Sequence, residues 1–246
     1  MEPVSEAARR EMHTFLSFVS GAENERAIAA RTFHVTATYD ESDFAALADR
    51  LAAADATGSF SILARDLDDL GGTVAALDEA GHEVVLHGLR HTSFGDVDYD
   101  TAHDELSRAL DRFEDTAGVR PTGFHVPFME TSAGTLRAAD ELGIDWLLGR
   151  TEADVPAGLT RLDPVAPWDT RLLEGGTDPD DAFEQLAGAP ATDEVFLMHP
   201  NLHEYYGANA AFDAWLDDRS PTTVAAAIKG NGAGVVLDCV KPIRAE

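Results

Sequence analysis

The chain has 246 residues, 44% hydrophobic and 26% charged, the composition of a folded globular protein long enough to bury one large core. Its 45 acidic residues against 18 basic ones give a formal net charge of -27, which argues against a nucleic-acid groove because phosphates would be repelled over most of the surface. A single cysteine, Cys239, excludes an internal disulfide and a multi-cysteine zinc site, and no apolar stretch reaches the roughly 20 residues of a membrane helix.

In chain order, residues 1–30 read as a helical arm and residues 31–246 as one domain. "FHVTATY" (Phe33 to Tyr39) is β-branched and aromatic and reads as a strand. "SDFAALADRLAAAD" follows with apolar residues at helical spacing and Ser42 as its N-cap. Then come the strand "GSFSILA", the helix "GGTVAALDEAG" and the strand "EVVLHG". The amphipathic helix "DYDTAHDELSRALDRFEDTAG" ends at Gly118. Further on are "GFHVPF", the helix "SAGTLRAADELG", the strand "DWLLGR", the helix "DPDDAFEQLAG" and the strand "EVFLMH". Two helices between about Ala208 and Lys229 and a closing strand "GVVLDCV" complete the chain. Short strands alternating with longer helices predict parallel β-α units, and about seven of them in this length favour a barrel over an open sheet.

Polar residues suited to chemistry stand at four strand ends: Asp40, Glu41 and Asp43; His87 and His91; His125; His199 and His203. Acids with several histidines are the inventory of a metal-dependent hydrolase. If "HGLRH" turns helical, His87 and His91 share one face and reach one ion. His82 precedes its strand and reads as structural, and Asp43 reads as an early-helix acid favoured by the dipole. His13, His34 and His103 have no acidic or histidine partner at useful spacing.

The order of these pieces resembles the polysaccharide deacetylase (NodB-homology, carbohydrate esterase family 4) proteins. "GHEVVLHGLRH" is similar to the family's second motif, G-H-E-[IV] before a histidine, three residues and another histidine. "VTATYDES" sits where the family has T-F-D-D-G, "PTGFHVPFMETSAGTLRAADELGI" resembles G-[FY]-R-x-P-[YF] with its helix, and "EVFLMHP" resembles the late strand ending in leucine and histidine. The resemblance implies a distorted (β/α)7 barrel that deacetylates an N-acetylated sugar or glycan precursor with a divalent metal ion, zinc by expectation. It also implies that His87, His91 and Glu41 are metal ligands, Asp40 the general base and His199 the general acid. Pro127 and Phe128 would line the substrate groove, with His125 beside them in place of the family's arginine. Glu41 replaces an aspartate and Ser42 a glycine. Glu152 or Asp154 falls near the motif that orients the acid histidine, without its tryptophan. His125 reads as a support for the base, a further ligand or a packing residue, and His203 as a surface residue or a replacement partner. Two rivals stand beside this reading: hydrolysis of another C–N amide bond, and a catalytically inactive sugar-binding barrel.

The acids are dispersed along the chain, and Lys229 and Lys241 are the only lysines. Such a surface suits molar salt, where screening shortens self-repulsion to a few ångströms, so a salt-accumulating halophile is the expected source. The opening "MEPVSEAARREMHTFLSF" lacks the apolar core of a secretory signal, and a cytoplasmic location is expected. The melting temperature is therefore expected to fall as potassium chloride is withdrawn, measured by thermal melts across a salt series. A flat series would overturn the halophile reading.

Overall fold

Strands β2 (Ser59–Ile62), β3 (Glu83–Leu86), β7 (Val195–Met198) and β8 (Gly234–Asp238) are short, largely apolar segments buried almost throughout, as expected of parallel strands covered on both faces, and Ser59, Ser61 and Asp238 are the polar residues buried in them. In the computed structural model, which describes residues 37–38, 40–188, 195–230 and 232–241, they join β4 (Gly123–Glu130), β5 (Trp146–Arg150) and β6 (Thr160–Leu162). The seven-stranded sheet has the order β6-β5-β4-β3-β2-β8-β7, all its pairings parallel. A bridge between Pro164 and Val195, with the Val165 N–H donating to the Val195 carbonyl at 2.8 Å, brings the two sheet edges together. The result is a nearly closed (β/α)7 barrel. The arm expected over residues 1–30 lies outside the described residues.

The helices wrap the sheet: α1 (Glu41–Ala53), α2 (Leu67–Glu79), α3 (Tyr99–Ala117), α4 (Ala133–Glu141), α5 (Asp169–Glu174), α6 (Pro179–Ala187), α7 (Pro200–Tyr206), α8 (Asn209–Arg219) and α9 (Val224–Ala227). Among the described residues no helix is long and apolar enough to cross a membrane. The N-cap of α1 is Asp40 and not Ser42: its carboxylate accepts from the N–H groups of Ser42 and Asp43, and Asp43 returns a bond to the Asp40 N–H.

The core divides by side-chain parity. Because alternate residues of a strand face opposite ways, one set packs outward under the helices and the other points to the barrel axis. Val84, Leu86, Phe124, Leu147, Phe196, Val235 and Leu237 belong to the outer cluster. Val85, Leu148, Leu197 and Val236 belong to the inner one. At the floor of the barrel, Glu83 accepts from the Ser59 hydroxyl, the Trp146 indole N–H and the Ala225 N–H, tying β2, β3, β5 and α9 together.

The first expected strand survives only as β1 (Ala37–Thr38) among the described residues, and it is not in the barrel. It pairs antiparallel with β9 (Val240–Lys241) in a two-stranded ribbon. The barrel position beside β2 is filled by β8 instead, with Ser59 opposite Val236 and Ser61 opposite Asp238.

A Cβ on Gly123 would overlap the Trp146 ring, which its bond to Glu83 keeps from stepping aside. Gly123→Ala is expected to cost about 1–3 kcal/mol in urea unfolding. Gly72→Ala, facing open space in α2, is expected to stabilise by roughly 0.4–1 kcal/mol.

Candidate active site at the barrel mouth

Parity carries on past the ends of the strands. In β3 the inward residue is Val85, so His87 follows it inward; in β7 Leu197 is followed by His199, and in β8 Val236 by Asp238. Ser61 of β2 and His125 of β4 meet from neighbouring strands, Ser61 Oγ lying 2.9 Å from His125 Nδ1. Five polar side chains thus converge where strands end and loops begin, the functional face of parallel α/β barrels.

His87, His91 and His125 form a stack of rings. The His87 and His125 rings stack at 4.4 Å, and His91 is tilted against His87 at 5.0 Å. His87 Nδ1–H donates to the His125 carbonyl at 2.7 Å, which leaves the lone pair on Nε2. His87 Nε2 and His91 Nδ1 are buried without a hydrogen-bond partner. Burial pushes both rings down, His87 to about 4 and His91 to about 3, the neighbouring imidazoles adding to the effect. Burial likewise holds His125 well below the usual histidine range. The segment from His87 to His91 is a loop and not a helix: Gly88 turns it at φ +90°, and the two rings still meet.

Neutral imidazoles with buried, unpaired nitrogens are the donors a divalent cation takes. One ligand atom from each of His87, His125 and Asp238 can be chosen so that all lie within 4.8 Å of one another. Neither Asp40 nor Glu41 is in this set: both are exposed at the start of α1, where Asp40 caps the helix.

The opposite wall is charged. Asp169, the fully buried first residue of α5, accepts four hydrogen bonds. His199 Nδ1–H donates to Oδ1 at 2.8 Å, the His199 N–H to Oδ2 at 2.6 Å, the Thr170 N–H to Oδ1 at 2.6 Å and His203 Nε2–H to Oδ2 at 2.7 Å. Burial alone would raise the Asp169 carboxyl, but His199 and then His203 hold it well below the usual carboxylate range. Burial opposes a charged His199, yet Asp169, aided by Asp238 and Glu174, raises that imidazole to about 9. Its Nε2 faces Asp238 Oδ2 at 3.7 Å. Burial keeps His203 low, so it donates as a neutral ring.

One assignment therefore differs from the sequence reading, and a second is decided between its two alternatives. The carboxylate that orients His199 is Asp169, not Glu152 or Asp154, and Trp168 stands directly before it. His203 is fully buried against Phe183 and Phe212, where it is a partner of Asp169 and not a surface residue. His82 is structural as expected, buried edge-on to Phe60. Pro127 is buried, while Phe128 is 55% exposed with its ring 4.6 Å from that of His91. Phe128 and Met129 are both left-handed, at φ 61° and 65°, where β4 loses register between His125 and Glu130.

In comparison with known proteins, residues 26–147 match the family model described as polysaccharide deacetylase. No curated protein matches the sequence. Among solved structures, the fold is similar to that of a peptidoglycan deacetylase from Bacillus subtilis (TM-score 0.54, 14% identity, 81% of this chain and 82% of that one). It is also similar to a family 4 carbohydrate esterase from Streptomyces lividans (0.52, 16%, 70% and 80%). A third is a family 4 carbohydrate esterase pseudoenzyme from Bacillus anthracis (0.53, 14%, 82% and 60%). The chain spans 60–62% of the length of the first solved structures it matches.

The His199–Asp169 pair makes a stability prediction with a definite sign. A histidine raised on folding contributes fully below its unfolded pKa of about 6.5 and loses that contribution as pH rises through about 9. In chelator-treated protein, the gap in melting temperature between the wild type and Asp169→Asn is therefore expected to shrink between pH 6.5 and 10. A constant gap over that range would mean that the charge pair adds no stability.

Proposed function

From the match of residues 26–147 to the polysaccharide deacetylase family model, we propose a metal-dependent amide hydrolase that removes acetyl groups from an N-acetylated sugar. The observation that carries the reading is the pairing of opposites at the barrel mouth. A charged imidazole, His199, is pinned by a buried carboxylate across from neutral imidazoles whose lone pairs are buried and unused. A sugar-binding barrel without chemistry needs neither.

The donors fit a divalent cation, zinc in this proposal, with His87 at the centre of the group, His125 stacked on it and His91 packed against it. Such a cation supplies Lewis acidity toward the acetyl carbonyl. The chain's own groups handle the protons. Water adds to the acetyl carbon and loses a proton to a carboxylate, for which Asp40 is the proposed acceptor. β1 runs antiparallel to β9, which begins two residues after β8 ends, so the chain enters α1 from beside the end of β8. His199 Nε2–H then protonates the leaving nitrogen as the C–N bond breaks, giving acetate and a free amine. Asp169 keeps that proton on His199 at neutral pH and fixes the ring by its Nδ1, while His203 holds the other carboxylate oxygen in place. Phe128 offers an apolar face to the sugar beside His91.

The test is acetate release over a panel of N-acetylated amino sugars and their oligomers. Chelation and His87→Ala are each expected to abolish turnover, and His199→Ala to lower kcat by about 100-fold or more. Bound metal without acetate release from any sugar would point to another C–N amide as the substrate. Protein that binds sugar but no metal would point to an inactive barrel.

A further inference from the structure

We propose that the carboxylate ligand of the metal site is Asp238 on β8, a strand that has taken over both the sheet position and the chemical role of the acidic run after β1. The proposal rests on the metal-holding reading above and names the ligand set within it: His87, His125 and Asp238.

The topology carries the argument. β8 lies between β2 and β7 with parallel pairing on both sides, and its register sets Asp238 opposite Ser61. Ser61 in turn holds His125 Nδ1. Asp238 shares the inward parity of Val236, as His87 shares that of Val85. Only 8% of Asp238 is exposed, so the strand delivers a carboxylate into a nearly closed space beside His87 Nε2, itself buried and unpartnered. The acidic residues after β1 have a different fate. β1 is confined to the ribbon with β9, Glu41 is exposed in the first turn of α1, and Asp40 is engaged in the capping box.

The donor chemistry agrees. Two imidazoles and one carboxylate with an open position make a common catalytic zinc set. Ligand atoms on one tetrahedral zinc ion stand about 3.4 Å apart at bonds of about 2.1 Å, so a set within 4.8 Å closes with side-chain shifts on the order of an ångström. His125 then has a reason to be histidine where the resembling family has arginine. A guanidinium has no lone pair to give a metal, whereas an imidazole held by Ser61 does. The exchange of arginine for histidine and the relocation of the aspartate become one coupled change.

The test is zinc titration of the full chain after chelator stripping, read by competition with a chromophoric chelator and by the zinc-induced rise in melting temperature. Wild type is expected to bind one equivalent. Asp238→Asn and His125→Asn are each expected to weaken binding by more than the roughly 10–100-fold that losing an outer-sphere partner costs. Glu41→Gln is expected to keep wild-type affinity. Wild-type affinity in folded Asp238→Asn, or loss of zinc in Glu41→Gln, would overturn the proposal while leaving the hydrolase reading intact. Should Asp238→Asn fail to fold, the Glu41→Gln result still decides, since that exposed position can be changed without disturbing the barrel. No zinc bound by wild type would instead remove the metal-dependent reading itself.

Discussion

Burying a carboxylate whose charge is balanced by imidazoles alone is the constraint around which the barrel mouth is organised. Taking an ion out of water costs several kcal/mol, which only a full set of donors and a counter-charge offsets. Asp169 draws those donors from three places in the chain: the start of α5, the end of β7 and the middle of α7. Its demand for hydrogen bonds therefore fixes where the loop after β6 lands, how the chain turns after β7 and which way the His199 ring points. Phe183 and Phe212 close over His203 and keep water away, which strengthens each of these bonds.

The two walls of the mouth solve the problem of buried imidazoles differently. On the β7 side a carboxylate makes the charged form cheaper, and His199 stays protonated. On the β3–β4 side desolvation wins, and the rings stay neutral with lone pairs exposed to each other. Asp238 stands between the two, 3.7 Å from the charged ring and grouped with the neutral ones. One residue type thus stands charged on one wall and neutral on the other, separated by nothing more than which neighbour each ring has.

Much of this was legible in the sequence. The alternation of apolar runs and amphipathic helices announced the barrel, and His87, His91, His125 and His199 stood out because histidine is rare after an apolar strand. What stayed hidden were partners that chain proximity does not reveal. Asp169 is far from His199 in sequence and hides in "PWDT", among many other aspartates of an acidic chain. His203, a few residues past His199, looked like a stray because its burial depends on Phe183 and Phe212 from other helices. Asp238 did carry a signal: in "GVVLD" it falls at the same parity as the histidine in "EVVLH", and both follow Gly or Glu by four residues. Reading "GVVLDCV" as a plain closing strand passed over it. The helix that was one way for "HGLRH" to bring its histidines together does not form, since Gly88 takes a left-handed turn after the strand.

The place of β8 bears on how the molecule assembles. Its partners are β2, from early in the chain, and β7, so Ser59 must wait for Val236 before either is covered. Pairings between such distant segments are slow, because the entropy of closing the intervening loop is spent before the contact forms. Until residue 238 arrives, β2 presents a bare edge and the histidine cluster lacks its carboxylate. Sheet closure and completion of the cluster are therefore a single event, so the side chains at the barrel mouth meet only once the last strand of the barrel is in place.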